Sequence, residues 1–262
     1  MTFTLKTFLY SLGIFCLGFS GIASSSEIPL SKNRFQWADQ AFQNRKNKSS
    51  AFQALEHFRK LYHEKKEDPE AGWRLSMACY FVGNRFIEDS DQKKVIFTEG
   101  RDAGLTAVQL APDCAPCHFW LAINMALYGQ TMGRVKMLFS LKTIREHAQI
   151  AKKIDPTYAF AGSDRLLGQI DQGLPGILGG SYQDAQKHFQ DAIKAVPDEP
   201  MNYLYLARLL HDNLDQHKNA IEVAQKGLSI HVDDTSRIES LEAQDDLRKF
   251  LAKIKNKPFL EK

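Results

Sequence analysis

The sequence predicts an all-α protein, a tetratricopeptide-like helical repeat array (α-solenoid) closed by a C-terminal capping helix. Ala185, Phe189, Ala192 and Pro197 fall at the A-x3-F-x2-A-x4-P spacing of the second helix of a tetratricopeptide repeat. The same small, small, proline register recurs at Gly104, Ala107 and Pro112, and at Ala148, Ala151 and Pro156. Trp73 and Tyr80 stand seven apart, as the first helix of the repeat requires. Paired helices of this kind cannot bury their apolar faces alone, so they stack and present a concave surface that binds something.

From the amino terminus, one lysine in Met1 to Lys6, an apolar run from Thr7 to Phe19 and the small residues Gly21-Ile22-Ala23 read as a cleaved signal peptide over 1–23. The expected location is therefore the periplasm. Cys16 follows Phe15, where a lipobox needs a small residue, so lipid anchoring is not expected. Repeats are expected over 24–234, beginning with a degenerate unit at Ala54, Phe58 and Leu61. Pro112, Pro156 and Pro197 are spaced by 44 and 41 residues, against about 34 for the standard unit. The excess falls in Gly129 to Phe139 and in Gly173 to Gly180, the latter ending on Ser181 with Asp184 three residues on as a capping box. Tyr203, Leu206, Ala207 and Leu210 form a further first helix before Ala220, Ala224 and Gly227. Ile238, Leu241, Leu247, Phe250, Leu251 and Ile254 stripe a charged helix, the expected cap over 235–262.

A net charge of +3, with 44% hydrophobic and 25% charged residues, describes a globular chain and argues against nucleic acid as a partner. No stretch of the mature chain is long and apolar enough for a membrane span. Gly173 to Gly180 lacks the Lys-Ser/Thr of a phosphate loop, His63-Glu64 lacks the second histidine of a zinc protease helix, and there is no nucleophile elbow, so an enzyme is not expected.

Cys114-Ala115-Pro116-Cys117-His118 is the sharpest local motif, and it leaves alternatives open. C-x-x-C-H attaches c-type haem, with Met125, Met132, Met137 or His147 as a second iron ligand. C-x-x-C is also a thiol-redox pattern, and structural zinc would need a fourth ligand that no local spacing supplies. In the plainest reading Asp113 caps a helix and the cysteines fill its first turn. No bound cofactor is expected under that reading.

First-helix positions two, five, nine and twelve point inward in such repeats, which selects Arg74, Phe81, Arg208 and His211; Arg165 is a further polar candidate. An arginine in a partly apolar groove is costly to desolvate unless it meets a carboxylate, so an acidic ligand or peptide end is expected there.

His118-Phe119-Trp120-Leu121-Ala122, Asp155-Pro156, Leu167-Gly168, Leu174-Pro175, Gly179-Gly180 and Asp184-Ala185 together resemble the periplasmic T component associated with TRAP transporters. Eukaryotic regulators of microtubule dynamics share a similar helical pattern but are the poorer comparison for a chain with a signal peptide. The resemblance, over roughly 73–228, implies a scaffold that docks on a periplasmic solute-binding protein, with a small organic acid as ligand and Phe119 and Trp120 in a binding patch. A general envelope-assembly scaffold and an exported haem or thiol-redox protein are the other expectations.

Overall fold

The computed structural model describes residues 34–233 and 237–255, so the expected signal peptide lies outside the described residues. All regular structure among them is helical. The chain falls into two compact units, one within 18–155 and the other within 156–262.

The first unit holds α1 (Gln36–Gln43), α2 (Lys48–Glu64), α3 (Pro69–Phe86), α4 (Ser90–Leu110), α5 (Ala115–Thr131) and α6 (Arg134–Ile154). Short polar residues start these helices. Asn47, Asp68 and Asp89 each accept a hydrogen bond from a first-turn amide, at 3.2, 2.9 and 2.8 Å. Consecutive helices pack on one another, and α5 also packs on α3. Helix α5 is accordingly apolar on nearly every side, with Cys117 through Asn124 all buried. The small residues of the repeat register do what the pattern requires: a β-carbon on Gly104 would lie 3.1 Å from the Leu121 backbone. Pro112 and Pro156 follow the ends of α4 and α6 by two residues, as expected.

The excess length in 129–139 is not a loop. Helix α5 runs on to Thr131, Gly133 turns at φ +90°, and α6 begins at Arg134. The added residues lengthen two helices across one tight turn.

The second unit holds α7 (Tyr158–Gly173), a single 3-10 turn (Gly176–Leu178), α8 (Tyr182–Ala195), α9 (Pro200–Asp212), α10 (His217–Ser229) and α11 (Ile238–Lys255). Ser181 accepts from the Asp184 amide at 3.1 Å, which realises the expected cap of α8. The signature residues Ala185, Phe189 and Ala192 are fully buried, with Phe189 stacked on Tyr205 of α9 at 5.5 Å. Helix α11 packs on α9 and α10 through Leu247, Phe250, Leu251 and Ile254, as expected of a cap.

Candidate binding surfaces

Arg74 is ion-paired with Asp39 and, at 2.9 Å, with Glu70, and its guanidinium lies over Phe35 and Trp73. Burial pushes the Asp39 carboxyl up, against the pull of Arg74. Phe81 is buried between Phe42 and Phe86. Arg208 pairs with Asp246 of α11 at 2.8 Å. His211 shares a 2.8 Å Nδ1 to Nδ1 contact with His217 and sits edge-on to Phe250.

Arg165 is 1% exposed. Its guanidinium donates to the carbonyls of Ala159 and Phe160 and to Asn202 Oδ1. Asn202 in turn donates to the carbonyls of Ala192 and Val196 at the end of α8. Arg74 and Arg208, both partly exposed, are ion-paired within the chain, and Arg165 alone of the three is buried, with its two terminal nitrogens met by backbone carbonyls and Asn202. Phe119 and Trp120 are likewise core residues, 0% and 1% exposed, not a surface patch. Arg74 and Phe81 belong to one unit and Arg165, Arg208 and His211 to the other.

A buried polar centre escaped the sequence reading. On α7, Asp164 and Asp171 are two turns apart and face the same imidazole of α8: His188 Nδ1 is 2.9 Å from Asp164, and Nε2 is 3.6 Å from Asp171. Asp164, His188 and Asp191 bring one ligand atom each within 4.8 Å of one another, a set that could hold a cation. Asp and His on separate amphipathic helices carry no motif, so only three-dimensional placement reveals them.

The cysteine motif opens α5. Its cap is Cys114, not Asp113, and Cys114 Sγ accepts from the Cys117 amide at 3.2 Å. Cys114 and Cys117 form a disulfide, while Cys79 is a buried free thiol. His118 is 4% exposed. Its Nε2 is 2.8 Å from the Pro112 carbonyl, and its Nδ1 is 2.8 Å from His147 Nδ1. In this structure the two sulfurs are bonded to each other, and both imidazole nitrogens of His118 have partners within the chain.

One open apolar depression, of about 760 Å³, lies on α1 and α2, lined by Trp37, Lys48, Ser49, Phe52, Gln53, Glu56, His57 and Lys60. Trp37 is 50% exposed there and packs against His57 with ring centres 4.8 Å apart. An indole left half in water is a candidate anchor for a partner. No helix of the described residues is long and apolar enough to cross a membrane.

The sequence profile of the family described as regulator of microtubule dynamics protein 1-3 matches residues 35–168. The chain belongs to that family. The matched segment of the regulator family includes Arg74, Phe81, the Cys114 to His118 turn and Arg165, whereas Arg208 and His211 lie beyond it. The match makes these regulators the better comparison, against the expectation drawn from the leader-like residues. Regulator of microtubule dynamics protein 2 of Homo sapiens is 24% identical over 234 residues, covering 84% of this chain and 55% of the relative. Protein 1 of Mus musculus is 23% identical over 199 residues, covering 70% and 65%. The chain spans about half the length of protein 2. A thermophilic TPR protein of Thermus thermophilus matches the fold with a TM-score of 0.58 at 19% identity, covering 81% of this chain and 97% of that one.

Proposed function

We propose that this chain is a scaffold that binds a partner protein, and that the Trp37 depression is where the partner docks. The observation that carries the reading is the pairing of a TPR-like fold with an exposed aromatic floor. Lys48, Lys60 and His57 rim that floor, and Glu56 is tied to Arg59. A segment with an apolar anchor and acidic neighbours complements such a site.

The leader-like residues 1–23 and the T-component-like motifs support a periplasmic partner, a solute-binding protein of a TRAP-type uptake system with its organic acid ligand. The family match supports a second reading, in which the partner is a filament such as a microtubule. Reciprocal capture with purified solute-binding protein, and co-sedimentation with polymerised tubulin, separate the two. Under the scaffold reading, W37A with F52A weakens the productive interaction at least tenfold, about 1.4 kcal/mol or more. Undiminished binding by the double variant would remove the depression from the proposal.

A further inference from the structure

We propose that Cys114 and Cys117 form a thiol–disulfide exchange site that takes the dithiol of a partner protein as its substrate. This goes beyond the scaffold reading and does not depend on it.

Three features separate this pair from a structural cross-link. It closes only the first turn of one helix, three residues apart, so it fastens no distant elements together. Its two sulfurs are unequally placed: Cys114 is partly exposed at the cap position, and Cys117 is fully buried one turn inside α5. The Cys117 amide donates to Cys114 Sγ at 3.2 Å, and this donor persists when the S–S bond opens. A thiolate at Cys114 then sits against an amide at the positive end of a 17-residue helix, which favours the charged, nucleophilic form. Pro116 in the first turn lacks an amide proton and presets the turn, so it holds the two sulfurs together in either redox state.

The step follows from this asymmetry. A substrate thiolate attacks the accessible Cys114 Sγ, a new S–S bond forms to the substrate, the Cys114–Cys117 bond breaks, and Cys117 leaves as a thiolate that takes a proton from water. The second substrate thiol, deprotonated, attacks the substrate sulfur of the mixed disulfide and releases Cys114. The substrate dithiol is oxidised to a disulfide by two electrons, and the cysteine pair receives those electrons and two protons. Cys79 stays out of the exchange. It is fully buried, and burial together with Glu99 pushes its thiol well above the ordinary range.

The test uses the folded full chain, with dithiothreitol and then 5,5′-dithiobis(2-nitrobenzoate) as probes and alkylated cysteines mapped by mass spectrometry. We expect native protein to be reduced at Cys114 and Cys117 without denaturant. Reduced Cys114 should then react at pH 6 about threefold faster than a peptide spanning 112–119, because the helix-terminal amide raises its thiolate fraction more than it lowers its nucleophilicity. C117S should keep the fast phase and trap a mixed disulfide on Cys114, whereas C114S should lose it. The proposal is overturned if the disulfide yields only after unfolding, if Cys114 reacts no faster than the peptide, or if C114S keeps the fast phase. The two wild-type readouts stand even where a variant misfolds.

Discussion

His118 and His147 show how little freedom single residues have in this fold. The Pro112 carbonyl can only accept, so His118 Nε2 carries a proton, and the 2.8 Å contact between the two Nδ1 atoms leaves room for one proton between them. Burial, reinforced by the neighbouring His118 and opposed by Glu146, holds His147 below the ordinary histidine value of 6.5. Unfolding therefore takes up protons wherever His147 would be charged in the free chain. The contribution of His147 to stability is full above about pH 6.5 and is lost as pH drops below it. We expect urea midpoints to decline from pH 7.5 to 5.5, and H147Q to flatten that decline; an equal slope in the variant would assign it to other groups. The sequence flags both histidines, but as iron ligands, because spacing along the chain does not show which ring faces which. Arg45 carries no such flag: it is 1% exposed, lies over Phe42 and Phe81, and donates to the Phe42 carbonyl. A lone arginine in a polar stretch has no signal that predicts such burial.

Helix ends are legible where a side chain carries its own instruction. Pro112, Pro156 and Pro197 stop helices through sterics alone, and Ser181 caps α8 with its own hydroxyl. The start of α7 is not legible. Ala159, Phe160 and Ala161 have φ of 51°, 55° and 61°, a left-handed turn made of residues that ordinarily favour right-handed helix. Each such residue costs roughly 1–2 kcal/mol, so the turn persists only because its surroundings fix it. Arg165 is the fixing group, since its two terminal nitrogens donate to the Ala159 and Phe160 carbonyls while Asn202 anchors it from α9. R165A leaves those carbonyls without this donor, and we expect it to lower unfolding free energy by about 3 kcal/mol, measured from urea midpoints. R165K should recover only part of the loss, because one ammonium cannot reproduce the planar fork. Full recovery by lysine would show that charge, not the fork, holds the turn.

For the whole chain, the repeat register is readable because it depends on residue size every few positions, while the division into two compact units has no counterpart in a Pro, Gly or Ser-rich linker. Each unit carries its own core, built around Phe58, Phe97 and Trp120 in one and around Phe189, Tyr205 and Leu247 in the other. In repeat proteins, stability is approximately a sum of local terms, so damage to one core is felt first where it is made. The chain supplies a reporter for this: all three tryptophans, Trp37, Trp73 and Trp120, lie in the first unit. F189A removes a fully buried ring from the second core, a change that costs about 3–5 kcal/mol. We expect the variant to lose part of its far-ultraviolet helical signal at a lower urea concentration than the wild type, while the tryptophan emission midpoint stays put. Should both probes shift together by the same amount, unfolding of the two cores is a single cooperative event, and the local additivity that distinguishes repeat arrays does not hold for this chain.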